Sequence, residues 1–344
     1  MAETRFVAVR LGSLGDIVHT FPAVAALRES FRNAEIVWVT HPRWKSLVES
    51  SGLASEIWPV ESRDLSSVRE LIKRIQTFSW EAAVDYQGLW KSALLPFLGG
   101  VKRRIGFSSK TIREFGVPIL YTDQVLPATT HIAEQNGELS RRAGALNITA
   151  PFRLRIPEAH EVEVRSYLQS AGIERYIVLS PGGGWRSKCW PAERFGVLAK
   201  QIRASLGLRC VVNIGPGEDD LATAVREGSG AAEPLFYNAA VGPLMALLCG
   251  AACIIGGDTG PLHLAIALGT PAVALFGPTD PARNGPYHVK IGTRRDNTFG
   301  NDIVLRTPGG TTSHKRQRQT ADSMLAIDVE SVLEAVRRRI GGSA

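Results

Sequence analysis

The stretch from Ile254 to Pro281, IIGGDTGPLHLAIALGTPAVALFGPTDP, constrains this chain more than any other. It reads as a strand at Cys253–Ile255, a glycine turn, a helix from about Gly260 to Leu268, and a second strand at Ala272–Phe276. Strands alternating with helices imply a parallel sheet with helices on its faces, and ligands of such sheets sit beyond the strand C-terminal ends. The turn Gly256-Gly257-Asp258-Thr259-Gly260 leaves backbone N–H groups free at a helix N-terminus, where the peptide dipoles favour an anion. Asp258 or Thr259 can cap that helix, Pro261 suits its first turn, and His263 on the second turn faces back toward the same mouth. A capped helix with a core histidine is the plainer reading of the same residues, so the rest of the chain has to decide.

The first half repeats the pattern. Phe6-Val7-Ala8-Val9 reads as a buried strand, followed by the loop Arg10-Leu11-Gly12-Ser13-Leu14-Gly15-Asp16 and a helical pattern from Ile17 to about Phe31. Strands at Glu35–Val39, Ile57-Trp58 and Ala82–Tyr86 follow, with an amphipathic helix from Leu65 to Phe78. The periodicity lapses around Asn147–Pro157 and restarts with a helix from Glu158 to Ala171. Beyond it come a strand at Tyr176–Leu179, the loop Pro181-Gly182-Gly183-Gly184, a helix from Ala192 to Ser205, a strand at Arg209–Ile214 and the loop Gly215-Pro216-Gly217-Glu218. The expected fold is α/β, with two doubly wound domains facing a central cleft, residues 1–150 and 158–325. A last amphipathic helix over 326–344 is read as one that crosses back to the first domain.

The polar residues at the expected strand ends describe a nucleotide diphosphate. They are Ser13 and Asp16 in the first domain, and Trp185, Arg186, Ser187, Lys188, Glu218, Asp258, Thr259, Gly260 and His263 in the second. A glycine loop followed by a lysine suits a diphosphate, as does a helix N-terminus, and a carboxylate after a neighbouring strand suits ribose hydroxyls. Neither G-x-G-x-x-G nor G-x-x-x-x-G-K-[ST] is present, which argues against a dinucleotide dehydrogenase or a P-loop ATPase.

The net charge of +7 does not by itself choose a partner, but its distribution is uneven. From Lys91 to Arg113 there are six basic residues and no acidic one. Of these, Lys102, Arg103, Arg104, Lys110 and Arg113 are read as the surface that meets an anionic acceptor. A second cluster, Lys315, Arg316 and Arg318, lies in a Gly/Thr/Ser-rich stretch. Neither is interleaved with aromatics in the manner of a nucleic-acid platform, so no nucleic-acid partner is expected. The opening MAETRFVAVRLG has too few apolar residues for a secretory leader, and no run approaches the roughly 20 that a membrane helix needs. A cytoplasmic protein is expected. The four cysteines are too few and scattered for a disulfide framework and read as packing residues.

Taken together, Gly12-Ser13-Leu14-Gly15-Asp16 with His19–Pro22, Lys188-Cys189-Trp190-Pro191, Gly215–Glu218, Asp258–His263 and Gly277-Pro278-Thr279-Asp280-Pro281 resemble glycosyltransferase family 9, the ADP-heptose:lipopolysaccharide heptosyltransferases. The resemblance spans nearly the whole chain in order. It implies a GT-B fold of two Rossmann-like domains, an inverting mechanism, an ADP-heptose donor, and a Kdo–lipid A or heptose acceptor in the lipopolysaccharide inner core. It also implies an anionic glycolipid at the membrane surface as the acceptor, a monomer working in the cytoplasm at the inner face of the inner membrane, and no cofactor. By the same resemblance Asp16 is the base, Lys188 meets the donor diphosphate, Glu218 the ribose, and Thr259, Gly260 and His263 the phosphates and sugar. The segment from Thr293 to Ser323 is longer and more basic than the family pattern.

The chemistry points the same way. Displacing a nucleotide diphosphate from an anomeric carbon needs a base for the acceptor proton and positive groups for the charge growing on the leaving phosphate. The chain offers both, and with no Asp-x-Asp motif a metal-independent reaction is expected. The residues leave two other readings open: a nucleotide-sugar epimerase of GT-B-like fold, and a nucleotide-sugar-binding protein without catalysis.

Overall fold

The computed structural model describes residues 4–288, 302–307 and 319–341. The basic cluster Lys315, Arg316 and Arg318 lies outside them. The chain divides into two compact units, one running to Arg155 and the other starting at Ile156.

The first unit holds β1 (Arg5–Val9), β2 (Glu35–Thr40), β3 (Glu56–Pro59), β4 (Ala82–Asp85), β5 (Arg104–Phe107) and β6 (Asp123–Val125), in the order β3-β2-β1-β4-β5-β6. All pairings are parallel, with Val7 opposite Val37 on one side and Ala83 on the other. A parallel sheet is covered on both faces, so its central strands read as continuous apolar runs; Phe6, Val7, Ala8 and Val9 are fully buried. One face packs Val7, Val9, Val37, Val39 and Trp58 against Leu71 and Ile75 of the helix Leu65–Gln76. On the other, Phe6 meets Phe31 at 5.0 Å between ring centroids, and Phe21 meets Trp38 at 5.7 Å.

The helix expected from Ile17 to Phe31 is two helices, Leu14–Val18 and Phe21–Ser30. Pro22 is the cause: it has no N–H to give the carbonyl four residues back, and its ring clashes there. The Thr20 hydroxyl instead donates to the Asp16 carbonyl at 2.8 Å. The bend keeps the first helix to a single short turn at the end of β1.

The second unit holds β7 (Tyr176–Ser180), β8 (Arg209–Asn213), β9 (Leu235–Tyr237), β10 (Cys253–Gly257), β11 (Ala272–Phe276) and β12 (Ile303–Arg306), in the order β12-β11-β10-β7-β8-β9. Counted from its own first strand, this is the 3-2-1-4-5-6 order of the first unit, the arrangement of a doubly wound nucleotide-binding sheet. The strand order reverses between β1 and β4 in one unit and between β7 and β10 in the other. The helix Val329–Gly341 spends its buried face, Val332, Leu333, Ala335 and Val336, in the core of the second unit with Val273, Leu275 and Ile202, where a return to the first domain was expected. Among the cysteines, Cys189, Cys210 and Cys253 are buried and Cys249 is exposed. Among the described residues, no helix is long and apolar enough to cross a membrane.

Candidate active site

Each sheet presents polar residues at its reversal point, where the ends of two adjacent strands splay apart and leave a crevice. In the second unit the crevice lies beyond β7 and β10. Asp258 follows β10 directly and is buried, with 4% of its side chain exposed. Lys188, from the loop after β7, donates to the Asp258 carbonyl at 2.7 Å and to its carboxylate at 3.0 Å. His263 Nε2 lies 2.9 Å from the other carboxylate oxygen. Burial alone would push the Asp258 carboxyl up, but the His263 hydrogen bond and the Lys188 charge outweigh it and hold the group well below the usual carboxylate range. Asp258 is therefore a fixed anion, and it aligns a lysine and a histidine.

Lys188 also lies over the Trp185 ring, 4.9 Å from its centroid. An ammonium has three N–H donors, and Asp258 takes two. Thr259 is the N-cap of the helix Gly260–Ala267, and its buried hydroxyl has no hydrogen-bond partner among the described residues. The Ser187 and Thr279 hydroxyls, after β7 and β11, are likewise buried and without a partner among the described residues. Unsatisfied buried hydroxyls are costly, and three of them beyond the ends of neighbouring strands suit a ligand with many acceptor oxygens.

Glycine lets these loops converge. A Cβ on Gly182 would stand 2.2 Å from a Glu218 carboxylate oxygen, and one on Gly257 would stand 2.7 Å from the Lys188 carbonyl. Glu218 caps the helix Asp219–Ser229, and its carboxylate accepts from the Gly215 N–H at 2.7 Å. Arg186 pairs with Asp220, tying the loop after β7 to the helix after β8. The structure thus brings Lys188, Asp258, Thr259, Gly260 and His263 to one crevice, with Glu218 on its β8 side.

In the first unit the crevice lies beyond β1 and β4. Asp16 closes a reciprocal cap: its carboxylate accepts from the Ser13 N–H at 3.1 Å and the Ser13 hydroxyl at 2.9 Å. The second carboxylate oxygen meets Arg10 Nη2 at 2.8 Å, while 44% of the side chain stays exposed. Partial burial would raise the carboxyl's pKa; the Arg10 charge and the Ser13 hydrogen bonds outweigh it, so it is held below its ordinary value. Arg10 is itself buried and also donates to the Tyr86 carbonyl. The Gln87 side-chain oxygen accepts from the Leu11 N–H at 2.7 Å, joining the two loops of the crevice. That turn is anchored by Asp85, whose buried carboxylate accepts from the Ser92 hydroxyl at 2.9 Å, the Tyr121 hydroxyl at 2.6 Å and the Gln87 N–H at 2.9 Å. Sequence reasoning collected Ser187 among the strand-end residues but missed Arg10 and Gln87 here, and Thr279 in the second unit. Each follows a strand C-terminal end directly or within a short loop, which is the signal that could have found them.

The basic run is divided by the sheet. Lys102, Arg103 and Arg104 stand at the start of β5, the edge opposite Asp16, while Lys110 and Arg113 follow its end; the four residues of the strand span roughly 13 Å. Arg104 donates to the carbonyls of Leu120 at 2.7 Å and Val101 at 2.5 Å. Arg103 donates to the Arg142 carbonyl at 2.6 Å and lies 3.8 Å from Asp123. Those two arginines tie the bottom of the sheet together. Lys110 and Arg113 are exposed on the edge that carries Asp16.

Among the described residues, no three His, Cys, Asp or Glu side chains are grouped to hold a metal ion.

Residues 68–302 match the family model for glycosyltransferase family 9 (heptosyltransferase). Lipopolysaccharide heptosyltransferase 1 of Escherichia coli O18:K1:H7 (strain RS218 / NMEC) is 26% identical over 324 residues, covering 90% of this chain and 93% of that one. Among solved structures, a family 9 glycosyl transferase from Veillonella parvula superposes with a TM-score of 0.83 at 22% identity, covering 99% and 98% of the two chains. The E. coli heptosyltransferase WaaC, solved with ADP, gives 0.74 at 23% identity, covering 98% and 100%. With the family model spanning most of both units, and a charged crevice at each reversal point where such an enzyme needs one, the chain belongs to glycosyltransferase family 9, the heptosyltransferases.

Proposed function

We propose that this glycosyltransferase moves a heptose from ADP-heptose to an inner-core lipopolysaccharide acceptor, Kdo–lipid A or heptose, with inversion and without a metal. The second unit holds the donor. The Thr259 hydroxyl, the Gly260 N–H and the remaining Lys188 N–H meet the diphosphate, Glu218 meets the ribose, and His263, held by Asp258, faces the phosphates and sugar. As the anomeric bond breaks, charge grows on the leaving phosphate, and Lys188 with the helix N-terminus is already oriented to take it up.

The first unit presents the acceptor. Asp16 accepts the proton of the attacking hydroxyl as the new bond forms, so that a single displacement inverts the anomeric centre. Ser13 belongs to this machinery as the residue that orients the Asp16 carboxylate, a different role from donor binding. Lys110 and Arg113 meet the anionic groups of a glycolipid at the membrane surface. The observation that carries this reading is the pairing of Lys188 and His263 on a single buried carboxylate at the reversal point. The test is product analysis with ADP-heptose. ADP release that requires an acceptor, and a product anomer opposite to the donor's, are expected. ADP release or epimerisation without acceptor contradicts the reading, as does retention.

A further inference from the structure

We infer that the surface around Phe115, in the first unit, docks on an anionic lipid bilayer. Phe115 is 99% exposed, Ile119 78% and Trp90 40%. The three are close: a Cβ added at Gly116, next to Phe115, would lie 3.1 Å from Trp90 Cζ2, and the Ile119 N–H donates to the Gly116 carbonyl at 3.1 Å. The support beneath is ordered. Ile112 reaches the turn after β4, within 3.0 Å of where a Cβ on Gly88 would stand, and Glu114 accepts from the Trp90 N–H at 2.7 Å. The one acidic side chain of the loop is therefore turned onto a helix N-terminus. Around the apolar tip, Lys91, Lys110 and Arg113 are exposed and make no ion pair among the described residues.

An aromatic and a branched aliphatic side chain that project from a fixed loop gain by entering the boundary between headgroups and acyl chains. Exposed lysines and arginines beside them meet anionic headgroups, to which the field of the membrane surface draws them. Trp90 at the margin suits the same boundary, since indole keeps its N–H at headgroup level. No acidic residue lies between Lys91 and Arg113 to repel such a surface. The patch follows β4 and β5, on the sheet edge that carries Asp16, so a docked bilayer would bring lipid-borne acceptors to that edge. The inference deepens the reading of a membrane-surface acceptor and rests on it for its purpose only.

The experiment is co-sedimentation of the full chain with phosphatidylcholine vesicles, with and without phosphatidylglycerol, in the absence of donor and acceptor. The wild type should bind the anionic vesicles, bind the neutral ones weakly, and be released by salt. The double variant Phe115→Ser, Ile119→Ser should bind anionic vesicles roughly tenfold less, with its melting temperature and ADP affinity unchanged. Equal binding by the double variant, or equal binding to both vesicle types, overturns the inference. A wild type that binds neither vesicle overturns it as well and assigns the patch to a protein. Because no turnover is measured, failure here is distinct from failure of the transferase reading.

Discussion

Lys188 and Asp258 are joined twice, through the carbonyl at 2.7 Å and the carboxylate at 3.0 Å, so the ammonium proposed to meet the donor is fixed by the loop that leads into the helix Gly260–Ala267. Lys188→Ala should remove a charge-assisted contact and raise the Kd for ADP by roughly 10- to 150-fold. Isothermal calorimetry checks this. Affinity within a factor of two of wild type contradicts the assignment.

The same cluster makes stability depend on pH. Asp258 has its carboxyl held below the ordinary range, so its contribution is complete above the unfolded value near ~3.9 and is lost as pH falls through the lower folded value. Asp258→Asn removes the titrating group. The gap in unfolding free energy between wild type and variant should therefore narrow as pH falls from about 7 to about 3, in urea titrations. A gap that stays constant over that range contradicts the account.

Much of this was legible in the sequence, for a physical reason. Buried parallel strands need unbroken apolar runs and their turns need glycine, so β1, β7, β10 and β11 and the loops after them declare themselves. The edge strands do not. β5, with its Arg-Ile-Gly-Phe sequence, sits inside a basic run, and β6 is three residues, Asp-Gln-Val, with no apolar pattern. Without those strands the basic run could not be split between two edges of the sheet. Arg10 was hidden because a buried arginine is legible only through its partners, Asp16 and the Tyr86 carbonyl, and the latter is 76 residues away.

The division of the basic run separates two outcomes. Arg104→Ala should cost about 1–3 kcal/mol of stability, because it leaves the carbonyls of Leu120 and Val101 without their donor, yet leave the acceptor KM unchanged. Arg113→Ala should leave stability within about 0.5 kcal/mol and raise the acceptor KM severalfold, with a weaker salt dependence. Chemical unfolding and steady-state kinetics on both variants check this. An Arg104 effect on KM alone would reverse the assignment.

Arg10 holds the Asp16 carboxyl below its ordinary value, so Asp16 is ionised well into the acid range. Activity that needs the ionised form falls as pH drops through that pKa. In Arg10→Gln the opposing charge is gone and the pKa rises, so the acid limb of the kcat/KM profile should move to higher pH. An acid limb that does not move would mean that Asp16 does not set it.

The central claim is that Asp16 takes the acceptor proton, and the rate of Asp16→Asn tests it most directly. Asn caps a helix about as well as Asp, and its one amide oxygen can still accept from Ser13 while its NH2 stands where the oxygen facing Arg10 was, so the fold and ADP affinity should stay close to those of the wild type. It is a far weaker base, and single-turnover transfer from ADP-heptose to acceptor should slow by roughly 100-fold or more. Transfer at the wild-type rate by a folded, ADP-binding Asp16→Asn variant would contradict the account and place the base elsewhere.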